Sequence, residues 1–316
     1  MGRAGLRMLA AACAAVCATG CSIEEKVPLA DGGADAPPPD APPDERAPET
    51  TITAAPGAFS RVGASTFRFS SDDAAARFEC SIDGDSPVAC QSPYTRTLGD
   101  GAHAFAVRAI DPAGNRDRTP AEHAWSIDTV APDTMISSAP PPADNSASAR
   151  FDFHSNEQST TFECSLDSSA YAACTSGAVF GPVGDGAHAF AVRARDRAGN
   201  VDSSPAIHAW LVDTSPPDTL LLSGPSGPTP STTAAFTFVS PDAGAGALFQ
   251  CALDGAAFTA CTSPHELVEL SAGAHELAVR ARDAAGNLDP TPATRAWTVE
   301  PPPAARGEPR GARASL

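Results

Sequence analysis

The chain has 316 residues and a formal net charge of −17 at pH 7. This acidity argues against nucleic acid as a partner and against an electrostatic hold on anionic lipid, because both require a basic surface. The length suits two or three domains, and a hydrophobic fraction of 42% is enough to build packed cores.

The start of the chain has the layout of a secretory signal peptide. Two arginines precede a short apolar stretch, residues 9–16, which is too short to span a bilayer. The segment that ends at Cys21, ATGC, resembles a bacterial lipobox, so we predict that Cys21 is lipidated and anchors the protein. Ala18 departs from the usual large aliphatic residue, and an ordinary signal peptide cleaved nearby is the alternative. Lipoproteins that stay at the inner membrane commonly have Asp directly after the lipidated Cys. This chain has Ser22 there, a pattern that resembles lipoproteins sorted to the outer membrane.

An acidic, proline-rich segment follows the predicted lipid anchor. Residues 24–49 carry eight acidic side chains against Lys26 and Arg46, and almost no large apolar side chain. Such a segment cannot bury enough surface to offset the entropy lost on ordering, and proline with like-charge repulsion keeps it extended. We predict a disordered tether over residues 21–49.

The remainder of the chain repeats three times, as three markers that keep phase show. Each copy contains a Phe-x-Cys motif with a second Cys, a Gly-Ala-His motif that ends in Gly-Asn-x-Asp, and a Trp. The Phe-x-Cys motifs begin at Phe78, Phe162 and Phe249, which are 84 and 87 residues apart. A period of this length is too long for a solenoid unit and suits a small independent domain.

Apolar residues alternate with polar ones along each copy, which is typical of strands with one buried face. Phe67 and Phe69 share a face, as do Phe105 and Val107. We predict about seven short strands per copy and a buried Trp125, which together indicate a two-sheet sandwich. In the first copy the predicted strands lie near 50–53, 65–70, 76–82, 86–91, 94–98, 102–110 and 121–128.

The predicted fold is therefore all-β, with three tandem seven-stranded immunoglobulin-like β-sandwiches behind a signal peptide and a disordered linker. The predicted segments are 1–20 (lipoprotein signal peptide), 21–49 (tether), 50–130, 131–214 and 215–300 (the three repeats) and 301–316 (disordered tail).

Six of the nine cysteines form three pairs with identical spacing, each bracketing a turn-rich stretch. If the two cysteines of a pair face each other across a hairpin, the residues between their inner neighbours make a five-residue loop. An exported location favours oxidation, and closing so short a loop contributes roughly 2–3 kcal/mol. A zinc site is the weaker interpretation, because two thiols without a second pair nearby are too few. The predicted disulfides are Cys80–Cys90, Cys164–Cys174 and Cys251–Cys261.

The whole pattern, F-x-C-S-x-D-G…A-C…D-G-x-H-x-F-x-V-R-A-x-D-x-A-G-N-x-D…W, resembles the Ig-like repeats of bacterial surface and secreted proteins. Those modules are similar to immunoglobulin, HYR and fibronectin type III domains. The resemblance covers residues 50–300 and implies a stalk, an adhesive segment or an accessory domain. It is specific for the module and does not choose among these functions.

Asp and Asn side chains cluster in the turn DPAGNRD and in its two counterparts, where they are weak candidates for calcium ligands. Two carboxylates and one amide fall short of the six to eight oxygens that calcium prefers, so the other interpretation is a turn capped by its own Asp. The residues are Asp111, Asn115 and Asp117, then Asp196, Asn200 and Asp202, then Asp283, Asn287 and Asp289.

Two further positions recur in all three copies. The histidines His103, His188 and His275 stand where immunoglobulin domains often have a corner Tyr, and we predict that each imidazole donates to the backbone. The arginines Arg108, Arg193 and Arg280 face away from the core by alternation, and we predict that they pair with acids on the neighbouring strand.

Nothing in the sequence indicates an enzyme or a cofactor other than calcium. His265-Glu266-x-x-Glu lacks the second His of a zinc protease, and Gly84-Asp85-Ser86 lies inside one hairpin only. We therefore predict a non-enzymatic lipoprotein of the outer membrane or cell surface that acts as a stalk or adhesive protein. The predicted partners are the membrane, through the lipid, and an unknown protein or glycan. The alternatives are a calcium- or polysaccharide-binding module, or a periplasmic spacer or accessory subunit.

Overall fold

The computed structural model describes residues 44–302, so the predicted signal peptide, Cys21, and most of the predicted tether and tail lie outside the described residues. Within this part, three β-sandwiches follow one another along the chain, which confirms the predicted fold class. The helical structure here is a single 3-10 turn, Gly244–Gly246, and no helix in residues 44–302 has the length and apolar character needed to cross a membrane.

The strands of the first sandwich are β1 (Thr50–Ala54), β2 (Phe59–Ser60), β3 (Ala64–Ser71), β4 (Arg77–Ile82), β5 (Val88–Cys90), β6 (Tyr94–Thr97), β7 (Gly101–Ile110) and β8 (Ala121–Ile127). A three-stranded sheet, in the order β1-β3-β6, packs against a five-stranded sheet, in the order β2-β8-β7-β4-β5.

The second and third sandwiches have the same two sheets in the same order. The second consists of β9 (Thr134–Ser138), β10 (Ala143–Asp144), β11 (Ala149–Ser155), β12 (Thr161–Leu166), β13 (Ala172–Cys174), β14 (Ala178–Phe180), β15 (Gly186–Arg195) and β16 (Ala206–Val212). The third consists of β17 (Leu220–Ser223), β18 (Pro228–Thr229), β19 (Ala234–Val239), β20 (Leu248–Leu253), β21 (Thr259–Cys261), β22 (His265–Leu267), β23 (Gly273–Arg282) and β24 (Ala293–Val299).

Each sandwich has one strand more than the sequence predicts. After β1 has paired with β3, the chain crosses to the other sheet, where β2 runs parallel to β8 with Phe59 opposite Ser126. Two residues are too few to produce a period-two pattern, which is why alternation does not reveal β2, β10 or β18.

The core of each sandwich is built on a Trp and its aromatic neighbours, as alternation predicts. In the first repeat Phe67, Phe105 and Trp125 are buried, and the Phe67 ring stacks on Phe105 with centroids 4.0 Å apart. Phe67 also meets Trp125 edge to face at 5.1 Å. Burying side chains of this size contributes roughly 1.5–3 kcal/mol each, so these rings provide much of the hydrophobic stabilisation.

One core position of the first repeat is suboptimal. Ser65 is fully buried and its Oγ has no hydrogen-bond partner, whereas Ala149 and Ala234 occupy the same position in the other repeats. We expect Ser65→Ala to raise the unfolding free energy of this repeat by about 1 kcal/mol, because it removes an unsatisfied buried hydroxyl. Native-state hydrogen exchange of the β3 and β7 amides measures the change. The reciprocal Ala149→Ser should destabilise the second repeat, and slower exchange there would contradict the argument.

The first sandwich begins slightly earlier than predicted, within the end of the predicted tether. Pro48 is buried, and Glu49 and Asp72 exchange two hydrogen bonds: Glu49 N donates to Asp72 Oδ1 at 2.8 Å and Asp72 N to Glu49 O at 3.2 Å. Arg46 pairs with the Asp72 carboxylate at 3.0 Å. The charge-rich composition of this segment gives no sign that its end is ordered. The sequence Pro48-Glu49-Thr50 is nevertheless a Pro-x-Thr motif that also begins the other two repeats.

Candidate functional site

The six repeat cysteines form the three predicted disulfides, each between β4 and β5 or their equivalents. The predicted register is wrong, however, because Cys80 lies opposite Val88 and Cys90 opposite Phe78. The bond therefore runs diagonally between two side chains on the same face, with a Cα–Cα distance of 5.8 Å. Five residues, 83–87, join the strands, and the disulfide holds the short edge strand β5 to the sheet.

The histidine of each repeat bonds to the backbone, as predicted, and also to a carboxylate that the sequence does not single out. In the first repeat His103 Nε2 lies 2.9 Å from Gly99 O, and His103 Nδ1 lies 2.8 Å from Asp83 Oδ2. The second repeat pairs His188 with Asp167, and the third pairs His275 with Asp254, with the same atoms at 2.8 Å. We name these three pairs the His–Asp clamps.

Both ring nitrogens of each clamp histidine face acceptors, so each imidazole satisfies both contacts only when it is doubly protonated. The hydrogen bond to Asp83 and then that to Gly99 O raise the pKa of His103, and the bond from His103 lowers the pKa of Asp83. The pKa of His188 is raised first by Asp167, and that of His275 first by Ser271 O. The clamp is therefore a charge-assisted contact.

The turn that was predicted as a calcium candidate is closed by its own hydrogen bonds. Asp111 Oδ1 accepts from Asn115 N and Asp111 Oδ2 accepts from Asn115 Nδ2, both at 2.7 Å. Asp196 accepts the same bonds from Asn200, and Asp283 accepts them from Asn287. Both carboxylate oxygens thus meet N–H donors, which favours the capped-turn interpretation.

The third residue of each predicted calcium set is directed elsewhere. Asp117 is buried, and its Oδ2 accepts from Thr50 N at 2.8 Å while its Oδ1 accepts from Thr119 N at 2.8 Å. Thr50 Oγ1 in turn accepts from Ala109 N in β7. Asp202 repeats this arrangement with Thr134 and Ser204. These carboxylates therefore fasten the first strand of a repeat to β7 or β15, and calcium ligation stays a prediction.

A three-carboxylate cluster that sequence reasoning missed lies where the first repeat meets the second. Asp128, Glu157 and Asp196 each place a carboxylate oxygen within 4.8 Å of the others. Burial, then repulsion from Asp128 and Asp196, raises the pKa of Glu157. No sequence signal identifies the cluster, because its members come from the end of one repeat and from two separate turns of the next.

We expect Glu157→Gln to stabilise the chain at pH 7 by about 0.5–1 kcal/mol, because it relieves like-charge repulsion at a partly exposed site. Because the pKa of Glu157 is raised in the folded chain, ionised Glu157 destabilises the fold. This loss of stability is absent below the ordinary pKa of 4.5 and develops as pH rises through the raised pKa. Urea unfolding at pH 4 and pH 7 measures the difference, and equal gains at both would contradict it. A rise in the Tm of the unmodified chain alone on adding calcium would identify the cluster as a cation site.

The outer face of the five-stranded sheets contains the predicted arginine pairs. Arg108 contacts Glu79 at 2.9 Å and Arg193 contacts Glu163 at 2.7 Å, as predicted, while Arg280 donates to a neutral Gln250. Arg193 also covers the ring of Tyr171, with its guanidinium 4.0 Å from the ring centroid. This contact occupies one face of the Tyr171 ring, which is then closed to a stacking sugar.

The enzyme-like fragments are ordinary parts of the sandwiches. His265 and Glu266 lie in β22, which pairs with β19, rather than on the helix that a zinc-protease motif requires. Gly84 has a positive φ of 79° in the hairpin after β4, beside Asp83 with a φ of 54°. The Gly-Asp-Ser sequence therefore forms part of a tight turn that is typical of β-hairpins.

The fold defines the class of protein: the chain is a tandem-repeat protein of immunoglobulin- and fibronectin III-like sandwiches. No protein-family model and no curated protein matches it. Among solved structures it is similar to the fibronectin(III)-like modules of Clostridium thermocellum CbhA, with 19% identity and a TM-score of 0.37 over 53% of this chain and 94% of that one. It is also similar to a 1.5-MDa bacterial ice-binding adhesin, with 14% identity and a TM-score of 0.33 over 81% and 99%. For chicken CNTN1 FN1–FN3 domains the values are 11% and 0.35 over 81% and 99%.

Proposed function

We propose that this chain is a non-enzymatic cell-envelope lipoprotein, anchored through Cys21, whose three sandwiches form a stalk that displays an interaction surface outside the outer membrane. The observation that supports it best is the pair of short linkers between repeats, which are hydrogen-bonded at both ends. Linkers that are fixed in this way suit a spacer that must project from a surface rather than collapse onto it.

The repeats share the buried Trp, the disulfide and the His–Asp clamp, and they differ at many exposed positions. An exposed apolar row on β16, formed by Ile207, Ala209 and Leu211, has Glu122 at the Ile207 position of the first repeat. Differences of this kind support an adhesive or partner-binding role that is carried by loops and outer faces. The likeness to adhesin repeats is one of fold and does not choose between stalk and adhesive.

Polysaccharide binding is the less supported alternative. All three Trp side chains are buried, Tyr94 packs against Phe105 in the core, and Tyr171 is covered by Arg193. Among the described residues, these contacts leave few ring faces on which a sugar could stack. A protein partner therefore fits the described surface better than a glycan.

Protease shaving of intact cells tests the proposed function. Loss of the repeats from intact cells supports display at the surface, and protection until the envelope is opened would favour the periplasmic spacer. Cys21→Ala, compared with Cys17→Ala as the matched control, should release the protein from the membrane fraction. Retention of the Cys21→Ala protein, or an intact mass without lipid, would overturn the anchor.

A further inference from the structure

The linker between the first two repeats is held at its start by the repeat that it leaves. Thr129 N and Thr129 Oγ1 both donate to the Asp100 carboxylate, each at 3.1 Å. In the second linker Thr214 N and Thr214 Oγ1 donate to Asp185 Oδ1 at 3.0 and 2.8 Å. We name this pair of contacts the Asp–Thr latch.

The end of each linker is held by the repeat that it enters. Asp133 N donates to Asn156 Oδ1 at 2.8 Å, and the following Thr134 N donates to the buried Asp202 at 2.9 Å. In the second linker Asp218 N donates to the Asp242 carboxylate at 3.0 Å. Few backbone torsions between consecutive sandwiches are therefore free to change.

A direct bond then crosses each joint. Asn200 Nδ2, in the capped turn of the second repeat, donates to the backbone carbonyl of Asp128 in the first repeat at 2.7 Å. Asn287 Nδ2 makes the same bond to Asp213 O, also at 2.7 Å. The accepting residue is itself fixed, because Asp128 N donates to Ser60 O in its own repeat at 2.9 Å.

From this geometry we infer that the Asp-x-x-Gly-Asn turn is a docking element whose partner is the carboxyl end of another sandwich of the same kind. The Asn side chain donates to the carbonyl of Asp128 or Asp213 in the preceding repeat. The Asp–Thr latch at the next residue holds that carbonyl in one orientation. Consecutive repeats therefore move as one rigid body and not as independently reorienting domains. In the third repeat Ala272 stands at the position of the latch Asp and has no carboxylate. Pro301 stands at the position of the latch Thr and has no backbone N–H.

The two joints share this bond, and the first joint has additional contacts. The Arg197 guanidinium of the second repeat lies 5.5 Å from the centroid of the Phe59 ring in the first. Arg61 Nη1 also approaches Gly199 O at 3.5 Å. These contacts oppose the like-charge repulsion of Asp128, Glu157 and Asp196 at the same joint.

The test is 15N relaxation of the full chain, which gives a rotational correlation time for each repeat. We expect the three repeats of the unmodified chain to share one correlation time. In the double variant Asn200→Ala/Asn287→Ala the local correlation times should fall about twofold, because domains without a fixed interface move independently. Val179→Ala/Glu266→Ala is the control, since these exposed side chains of the second and third repeats take no part in the joint contacts described above.

A second variant, Asp100→Ala/Asp185→Ala, removes the latch without altering the turn and should also loosen the joints. Separate correlation times in the unmodified chain would overturn the inference, as would one shared time in both double variants with unchanged strand chemical shifts. The inference does not depend on the proposed function. Protease shaving can fail while the joints prove rigid, and the joints can prove loose on a protein that is displayed at the surface.

Discussion

Replacing Asp117 with alanine should lower the unfolding free energy of the first repeat by about 3 kcal/mol, because the buried Thr50 N–H and the part-buried Thr119 N–H both lose their acceptor. Asp117 is only 4% exposed, and it connects Thr50 at the start of the sandwich to the end of β7. Burial alone raises the pKa of Asp117, but hydrogen bonds from Thr50 and Thr119 hold it below its usual value. The stabilisation is therefore present above the ordinary carboxyl pKa and is lost as pH falls through the lowered one.

The third repeat provides the matched control for this substitution. Asp289 is equally buried, but its Oδ2 has no hydrogen-bond partner, whereas Asp117 Oδ2 accepts from Thr50 N. We therefore expect Asp289→Ala to destabilise its repeat less than Asp117→Ala destabilises the first. Hydrogen exchange resolves the repeats separately. Equal losses would contradict the role assigned to the Thr50 bond, and a loss that appears only in calcium would revive the metal interpretation.

Raising the pH above neutral should destabilise all three repeats together through the His–Asp clamps. The pKa of His103 is raised in the folded chain, so its contribution is fully present below the unfolded value of 6.5 and is lost as pH rises through the folded value. We expect a loss on the order of 1 kcal/mol per repeat, less than the roughly 1.5–3 kcal/mol of a hydrogen bond to a charged group, because the Asp83 side chain is 41% exposed and solvent screens the contact. Urea unfolding at a series of pH values from 6.5 upward measures this loss of unfolding free energy.

Asp83→Asn provides a specific control for the clamp. Asparagine tolerates the positive φ of this position and keeps an acceptor for Ala104 N, but it removes the charge beside His103. We expect the pKa of His103 to fall in this variant while those of His188 and His275 stay raised. Side-chain NMR titration reads all three in one sample. An unchanged His103 titration would show that Asp83 is not the cause.

The fold could be predicted from the sequence because its signals are local. Alternation at Phe67 and Phe69 reports which face is buried, and three copies of the same pattern remove accidental matches. Register is not local, so the diagonal placement of Cys80 and Cys90 had to come from the structure. A strand of two residues, such as β2, is too short to show alternation.

The sequence predicts which residues recur at a site, but it often does not predict the atoms to which they bond. The sequence identified His103 by its recurrence, whereas Asp83 looked like a turn residue and proved to be both turn and clamp. Asp111 and Asp117 are close in sequence but serve different contacts. The role of Asn200 was inaccessible because its acceptor, Asp128 O, belongs to the preceding repeat and is a backbone atom with no sequence signature.

The disulfides have a consequence for how the chain reaches its native state. Neighbouring repeats of similar sequence are prone to exchange strands while they fold, because each can offer the other a matching partner. In this chain every repeat cysteine finds its mate ten residues away, whereas the next cysteine belongs to another repeat. Short loops close faster and at lower entropic cost than long ones, so oxidation selects the correct pair. The bond then commits one hairpin of each repeat to its own sandwich before a neighbour can compete for it.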